Sequence, residues 1–417
     1  MKNRFYGAMS ILLALLFVVS SCCTTNQKQA KYVFYFIGDG MGFSHVALTE
    51  AYNAAKENKI GSEPLAFTQF PAMGMATTYS ASNMITCSSA AGTALSTGFK
   101  TNNHMLGVDP DTNDVYSIAK FIHDNGYKVG VMSTVTIDHA TPASFYAHAA
   151  YRNDYYAIAA QLPESGYEFF GGGGFGGIEK QGDRKPLYDI VAENGYTVAF
   201  GADEFNAKKT SAQKILFFQD SARANNILPY SFERTAEDLS LAQVVKAAIE
   251  FLDNDKGFFI MAEGGQIDWA AHANDVVNTI HETIDFDEAI QVAYEFYKQH
   301  PDETLIVVTA DHETGGVTLG RTKGYTFDLS SVPDRLAHKS TEERADINNY
   351  MEHTPIDSLS KAAKIGWTTT SHTGGAVPVF AVGAGSQNFI GRMDNTDIPK
   401  KIMNAMGMEF PKYEPGK

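Results

Sequence analysis

Short apolar runs of strand type alternate with helical patterns along almost the whole chain, and this alternation constrains the fold more than any other feature. Two of the helical patterns end in Asn-Gly-Tyr, where glycine suits the left-handed residue that follows a helix. The order predicts an α/β fold, a three-layer α/β/α sandwich with a central, largely parallel sheet. The predicted strands are Tyr32–Ile37, Lys128–Ser133, Thr197–Phe200, Phe258–Met261, Thr304–Thr309 and Val377–Val382, and the predicted helices are Val115–Asn125, Leu187–Asn194, Ala242–Asn254 and His281–His300.

Two stretches interrupt the alternation. Phe170–Lys180 is rich in glycine and aromatic residues, which predicts a loop near the site or a packing turn. Residues 321–366 are polar and helix-prone and lack strand signals, which indicates an inserted cap. We therefore expect one catalytic domain, residues 32–417, with an insertion at about 321–366.

The N-terminus has the pattern of an export signal. Lys2 and Arg4 precede an apolar run, Met9–Val19, that is too short to span a bilayer as a permanent helix. The residues up to Cys22 resemble a bacterial lipobox, in which Cys22 would be acylated and become the first residue. The alternative is an ordinary signal peptide that is cleaved nearby. The prediction is a signal peptide over residues 1–21, a polar tether over 22–31, and an exported protein, periplasmic or at the cell surface, anchored by its N-terminal lipid.

Charge and cysteine content exclude several kinds of partner and of stabilisation. The formal net charge is −15, so we expect no nucleic-acid partner, and no contact with an anionic membrane beyond the lipid anchor. Only one of the three cysteines, Cys87, lies within the predicted domain. The domain therefore has no internal disulfide and depends on its core and on bound metals.

Acidic residues stand at the carboxyl ends of three predicted strands. Asp39 follows the first strand, Glu263 the fourth, and Asp311-His312 the fifth. In open α/β sheets, sites form beyond the carboxyl ends of the strands. One such acid is ordinary, but three of them predict carboxylates that converge on a common cation.

A carboxylate and an imidazole four residues apart extend this pattern. On a helix, Asp268 and His272 would lie on one face, one turn apart, which suits a single metal. The pair follows Glu263 by five residues and so enters the same edge of the sheet. His372 precedes another strand and could complete a mixed Asp/His site, although an isolated histidine before two glycines is usually a turn residue.

Ser88 is the candidate nucleophile. It opens a run of very small residues with a helical continuation. A serine at a helix start meets free backbone N–H groups and the positive end of the helix dipole, which suit an anionic substrate. The alternative is a serine N-cap on a tightly packed helix.

Arg152 is the candidate anion clamp. It follows the segment His139-Ala140-Thr141-Pro142 by ten residues. An arginine can hold two phosphate oxygens at once, which a lysine cannot. A single arginine is normally a solvated surface residue, so this assignment depends on the motifs around it.

Taken together, these motifs closely resemble those of alkaline phosphatase, and they occur in the order typical of that family. The match extends from about Tyr32 to Gly407 and is weakest in residues 321–366. The resemblance implies a phosphoric monoester hydrolase. The residues that carry it are Asp39, Ser88, His139-Ala140-Thr141-Pro142, Arg152, Glu263 to His272, Asp311-His312 and His372.

The resemblance also implies a centre of two Zn²⁺ ions and one Mg²⁺ ion. The ligands implied for Mg²⁺ offer only oxygen atoms, which suit a hard cation. The implied ligands are Asp268, His272 and His372 for the first Zn²⁺, Asp39, Asp311, His312 and the Ser88 oxygen for the second Zn²⁺, and Asp39, Thr141 and Glu263 for Mg²⁺.

The implied reaction is hydrolysis of small-molecule phosphate monoesters by two in-line displacements. Ser88 forms a phosphoserine, which water then hydrolyses, while Arg152 holds the phosphate oxygens. Members of the family are often homodimers, but the sequence identifies no interface. It also does not identify the physiological substrate.

The chain departs from the family pattern at three positions. Cys87 stands where an Asp commonly helps to orient the phosphate arginine, which predicts a less tethered Arg152 and weaker phosphate binding. His139 stands where other members have Asp and is expected to change the metal preference of the third site. Trp269 replaces a Lys or His that adds a phosphate contact in some members.

Three other functions compete with this interpretation. A phosphodiesterase of the same superfamily shares the metal framework but is not expected to carry Arg152 in this motif. A sulfatase would need Pro and Arg after Cys87, which are absent. A metal-binding scaffold lipoprotein without catalysis is disfavoured because every expected ligand is present.

Overall fold

The structure is a computed structural model that describes residues 28–180, 182–220 and 226–412. The strands in these ranges are β1 Tyr32–Gly38, β2 Ala72–Thr77, β3 Lys128–Ser133, β4 Phe169–Gly172, β5 Tyr196–Phe200, β6 Lys214–Phe218, β7 Phe258–Gly264, β8 Thr304–Thr309, β9 Glu313–Thr314, β10 Thr318–Leu319, β11 Ile365–Gly366, β12 His372–Thr373, β13 Val377–Gly383 and β14 Gly391–Asp394.

Helices flank these strands. The α-helices are α1 Phe43–Lys56, α2 Ser88–Thr97, α3 Ile118–Asp124, α4 Ala140–Ala143, α5 Tyr155–Gln161, α6 Leu187–Glu193, α7 Gly201–Lys208, α8 Leu241–Leu252, α9 Gln266–His272, α10 Val276–Gln299, α11 Thr341–His353, α12 Ile356–Ala362 and α13 Asp397–Ala405. The 3₁₀ helices are Phe67–Gln69, Leu162–Ser165, Gly176–Lys180, Leu336–His338 and Ser386–Phe389.

Ten strands form one sheet in the order β14-β2-β13-β8-β1-β7-β3-β4-β6-β5. Of these, only β13 runs antiparallel to its neighbours. The prediction of an α/β fold with a largely parallel central sheet is therefore confirmed. The three strands expected to end in acid, β1, β7 and β8, are adjacent at the centre, with β1 in the middle.

The predicted strand positions agree with the structure, but four strands of the main sheet were not predicted: β2, β4, β6 and β14. Both Asn-Gly helix ends have the expected geometry, with φ +84° at Gly126 and +82° at Gly195. The strands that are fully buried on both faces gave the clearest sequence signal.

The prediction of a loop or turn over Phe170–Lys180 was wrong at its start, because this start belongs to β4. Glycine is required here by close packing. A Cβ at Gly172 would lie 1.8 Å from the Ser133 carbonyl oxygen, and one at Gly171 would lie 2.5 Å from Val244. The glycines therefore let β4 approach its neighbours inside the sheet.

The segment 321–366 contributes no strand to the main sheet. Its buried residues Leu329, Val332 and Leu359 form a second apolar cluster with residues of α1 and α10. The division into domain and inserted cap stays a prediction. At the other end, Ala30 is buried and its N–H donates to the Ala405 carbonyl, so the core includes a residue that we assigned to the tether.

None of the described helices is long and apolar enough to cross a membrane. The predicted signal peptide and the acylation site at Cys22 lie outside the described residues.

Candidate active site

The carboxyl ends of the three central strands bring three carboxylates together. Asp39 follows β1, Glu263 lies near the end of β7, and Asp311 follows β8. The register pairs Ile37 with both Glu263 and Thr309, so the three strands end at the same level. All three carboxylate residues are fully buried. Such burial is costly without a compensating cation or proton.

Three groups of described residues could hold a metal, and Asp268, His272 and His372 form the first of them. As predicted from their spacing, Asp268 and His272 lie one turn apart on α9, with Oδ2 and Nε2 separated by 3.3 Å. Nε2 of His372 lies 3.7 Å from Asp268 Oδ1. Burial acts to raise the pKa of Asp268, but the hydrogen bond from His272 and the neighbouring imidazoles hold it below its ordinary value.

Backbone carbonyls determine which ring nitrogens of the first group carry a proton. Nδ1 of His272 lies 2.7 Å from the Thr370 oxygen, and Nδ1 of His372 lies 2.9 Å from the Thr86 oxygen. A carbonyl can only accept, so both Nδ1 atoms are protonated in the neutral rings. The two Nε2 lone pairs are then directed into one space, 3.1 Å apart and beside a carboxylate. This donor set fits Zn²⁺.

Asp39, Asp311 and His312 form the second group. Nε2 of His312 lies 3.3 Å from Asp39 Oδ1 and 3.2 Å from Asp311 Oδ2. Among the described residues, neither oxygen of Asp39 has a hydrogen-bond partner, and Oδ2 of Asp311 also has none. Burial, together with repulsion from neighbouring carboxylates, raises the pKa of both aspartates well above the ordinary value. These unpartnered oxygens fit a divalent cation.

Asp39 also belongs to the third group, with His139 and Glu263. The Ser133 hydroxyl donates to Glu263 Oε2, while Oε1 has no partner among the described residues. Burial raises the pKa of Glu263 to about 7. Thr141, predicted as a ligand here, is fully buried at the second position of α4, and His139 is the N-cap of that helix. Carboxylate and hydroxyl oxygens suit Mg²⁺, whereas the imidazole also suits Zn²⁺.

Ser88 is the first residue of α2, as predicted, and Cys87 is its N-cap. Ser88 Oγ lies 3.2 Å from His312 Nε2, next to the second group. Small residues let this buried helix pack closely: a Cβ at Gly92 would lie 3.0 Å from Ser144 Oγ. The helix start therefore presents both a hydroxyl and free N–H groups beside the second candidate metal group.

Arg152 lies at the same centre and is half-buried. Its Nη2 donates to His139 Nε2 over 3.1 Å, and its backbone N–H donates to the His104 carbonyl. The His104 N–H in turn donates to Cys87 Sγ at 3.1 Å, so one residue links Cys87 to the arginine backbone. The rings of Trp269 and His139 pack edge to face, with their centroids 5.9 Å apart. All three positions that depart from the family pattern thus lie around Arg152.

Sequence reasoning missed Thr314. Its hydroxyl contacts Asp268 of the first group and His312 of the second. The available signal was its spacing, since residues two apart in an extended segment point to the same side and Thr314 follows His312 by two.

The chain is similar to known proteins over most of its length. The family model described as alkaline phosphatase matches residues 30–171 and 169–408. Alkaline phosphatase 3 of Bacillus subtilis (strain 168) is 34% identical over 432 residues, which cover 91% of this chain and 90% of that protein. Alkaline phosphatase 4 of the same organism is 32% identical, with 97% of each chain covered.

A solved structure of the TAB5 alkaline phosphatase, from an Antarctic bacterium, also resembles this chain. It is a histidine-to-glutamate mutant with Mg bound in the M3 site, and it is 34% identical with a TM-score of 0.74. The alignment covers 92% of this chain and 99% of that chain. These similarities extend over the whole catalytic core rather than over one motif.

Proposed function

Because the chain belongs to the alkaline phosphatase family, we propose that it hydrolyses phosphate monoesters through a phosphoserine on Ser88, at a centre of two Zn²⁺ ions and one Mg²⁺ ion. The family supports the hydrolysis of phosphate monoesters. The intermediate and the metal set are the proposal. The observation that carries it is the position of Ser88 Oγ, 3.2 Å from His312 Nε2, in a cluster of buried carboxylates several of whose oxygens have no hydrogen-bond partner among the described residues.

Each group of the centre offers a different donor set. Asp268, His272 and His372 would hold the first Zn²⁺, and Asp39, Asp311 and His312 the second, with the Ser88 oxygen beside it. Asp39, Glu263 and the Thr141 hydroxyl would hold Mg²⁺. When bound, these cations would supply Lewis-acid stabilisation of negative charge and lower the pKa of a hydroxyl or a water.

The protein's own residues bind and orient the ester. The Arg152 guanidinium and the N–H groups at the start of α2 hold the non-bridging phosphate oxygens. Ser88 Oγ loses its proton and attacks phosphorus, and the bond from phosphorus to the ester oxygen breaks as this oxygen takes up a proton and leaves as the alcohol. In the second displacement water loses a proton and attacks phosphorus, the bond to Ser88 Oγ breaks, Oγ regains a proton, and inorganic phosphate is released. Holding nucleophile and phosphate in place supplies much of the rate gain.

The decisive experiment measures phosphate release from an aryl phosphate monoester between about pH 7 and pH 10. It compares the protein loaded with Zn²⁺ and Mg²⁺, the EDTA-treated protein, and Ser88→Ala. Strong activity at alkaline pH that is lost in both controls supports the proposal. An inactive loaded protein contradicts it, and faster turnover of a bis-aryl phosphate diester would favour the phosphodiesterase alternative instead.

We also propose that the enzyme is exported and attached through acylated Cys22, on the grounds of its N-terminal pattern. Cys22→Ser should abolish incorporation of labelled fatty acid and release the activity from the membrane fraction. An unlabelled wild-type protein would contradict the anchor and leave simple export.

We further propose that the protein forms a homodimer. Met73 and Met75 of β2 are 55% and 36% exposed, and Ile390 before β14 is 60% exposed, so this edge of the sheet carries apolar surface. Analytical ultracentrifugation tests the homodimer by measuring the molecular mass in solution. We expect a dimer for the wild type and a monomer for the double variant Met73→Lys/Met75→Lys. A monomeric wild type would exclude the dimer.

A further inference from the structure

The Thr314 hydroxyl lies between the two proposed zinc groups. Its Oγ1 lies 2.5 Å from Asp268 Oδ1, which belongs to the first group, and 3.2 Å from His312 Nδ1, which belongs to the second. Thr314 is fully buried, so water does not compete for these contacts. A single hydroxyl therefore contacts one member of each group.

The directions of these two hydrogen bonds are determined by the hydrogens available. The Asp268 carboxylate only accepts, so Thr314 donates its single hydroxyl hydrogen to it. Toward His312 the same oxygen can then only accept, which requires the proton of the neutral ring to be on Nδ1. The lone pair is left on Nε2, the atom that lies near Asp39, Asp311 and Ser88.

The backbone holds Thr314 in place independently of any cation. Its N–H donates to the Gly40 carbonyl, and the Gly40 N–H donates to Asp311 Oδ1 at 3.1 Å. Gly40 has φ +73°, and a Cβ there would lie 2.9 Å from Thr314 Oγ1 and 3.0 Å from Asp268 Oδ1. Pairing of β9 with β12 places Thr314 directly opposite His372.

From these contacts we infer that Thr314 is a positioning residue that fixes the His312 tautomer and couples cation binding at the two zinc groups. The inference rests on the proposed metal centre and adds a residue to it. Outer hydrogen-bond partners of metal ligands typically change metal affinity by about 10–100-fold. Because one hydroxyl serves both groups, its loss should weaken both sites rather than one.

The test measures zinc affinity by competition with a chromophoric chelator, without reference to turnover. Thr314→Val keeps the shape of the side chain and removes the hydroxyl, whereas Thr314→Ser restores it. Thr283→Val is the matched control, since Thr283 is a buried threonine whose hydroxyl donates only to the Thr279 carbonyl of its own helix. Circular dichroism verifies that each variant is folded.

We expect Thr314→Val to raise the dissociation constants of both zinc ions by about 10–100-fold, with Thr314→Ser and Thr283→Val close to the wild type. Wild-type affinity in Thr314→Val would overturn the inference while leaving the metal centre intact. Equal weakening in the Ser and Val variants would also overturn it, because the hydroxyl would then not be the cause. A wild type that binds no zinc would overturn the proposed centre and this inference with it.

Discussion

Arg152 donates a hydrogen bond from Nη2 to Nε2 of His139 over 3.1 Å. An arginine can only donate, so Nε2 must supply its lone pair. Burial and the charge of Arg152 lower the pKa of His139 to about 3, which keeps the ring neutral. A neutral imidazole has one lone pair, so His139 cannot hold Arg152 and ligate a cation at the same time. Arg152 and a cation in the third candidate group would therefore compete for one side chain.

Cys87→Asp should strengthen phosphate binding. The carboxylate would give Arg152 a charged partner close to the start of α2, linked to it through His104. Charge-assisted hydrogen bonds contribute about 1.5–3 kcal/mol, so the inhibition constant of inorganic phosphate should fall about tenfold or more. The measurement is competitive inhibition of aryl phosphate hydrolysis. Cys87→Ser, which stays uncharged, is the control, and an unchanged inhibition constant together with an unchanged KM in Cys87→Asp would refute the idea.

Ser88→Ala should lower kcat by about a thousandfold or more, because the variant lacks the proposed nucleophile. The Thr314 hydroxyl cannot replace it, since it contacts His312 at Nδ1, whereas Ser88 Oγ lies at Nε2. Ser89→Ala is the matched control. Ser89 Oγ instead lies 3.2 Å from Cys87 Sγ, so its loss should change kcat far less. Mass spectrometry of acid-quenched enzyme should find the phosphoryl group on the peptide that contains Ser88. A phosphoryl group retained in Ser88→Ala and lost in Ser89→Ala would reverse the assignment.

Most of the candidate metal groups could be predicted because their chemistry is expressed in local spacing, whereas Thr141 was assigned only through the family resemblance. Asp268 and His272 are one helical turn apart, Asp39 directly follows a strongly apolar strand, and Asp311 lies two residues beyond the end of another. Their convergence followed from the rule that parallel strands end at one edge of the sheet. None of this required knowledge of long-range contacts.

Contacts between distant segments could not be predicted. Strand β4 requires glycine at Gly171 and Gly172 because Val244 and Ser133, which are distant in the sequence, leave no room for a side chain. One side chain that accepts from Arg152 is a histidine thirteen residues earlier, whereas the family pattern suggested an acid beside Ser88. Local propensity carries no information on which side chains a tertiary fold brings into contact.

Glu263→Gln should stabilise the metal-free protein at about pH 8 and have less effect at about pH 5. The pKa of Glu263 is raised by burial from 4.5 to about 7, so the folded state binds a proton that the unfolded state has lost. Its contribution to stability is therefore lost as the pH rises from about 4.5 through about 7. A glutamine carries no charge and avoids this loss.

Thermal unfolding of the EDTA-treated proteins at both pH values measures the effect, which we expect to be a few degrees at the higher pH. Glu164→Gln, on the surface, is the control and should show no such difference between the two pH values. In the presence of Mg²⁺ we expect the wild type to be more stable than Glu263→Gln, because the cation is then a partner for the Glu263 carboxylate. A destabilised metal-free variant at about pH 8 would contradict the role of burial.

The buried pair of Arg234 and Asp285 should dominate stability away from the active site. The two terminal guanidinium nitrogens of Arg234, Nη1 and Nη2, donate to the carboxylate over 2.5 and 2.9 Å, and Asp285 on α10 is fully buried. Burial acts to raise the pKa of Asp285, but Arg234 holds it below the ordinary value. Removing the arginine leaves an uncompensated charge in the interior, which typically costs about 3–5 kcal/mol.

Arg234→Met should therefore lower the free energy of unfolding by about 3–5 kcal/mol in guanidinium titrations, with an unchanged dependence on denaturant. The double variant Arg234→Met/Asp285→Leu should lose less than the single variant, because the Asp285 charge is no longer left without its partner. Lys120→Met removes an exposed ion pair with Asp124 and should cost no more than about 1 kcal/mol. If Arg234→Met were no worse than Lys120→Met, the pair would not be buried in solution. If the double variant were the least stable of the three variants, the cost of an unpaired Asp285 charge would not explain the result. The ion pair itself would then stabilise the packing of residues 226–240 on α10.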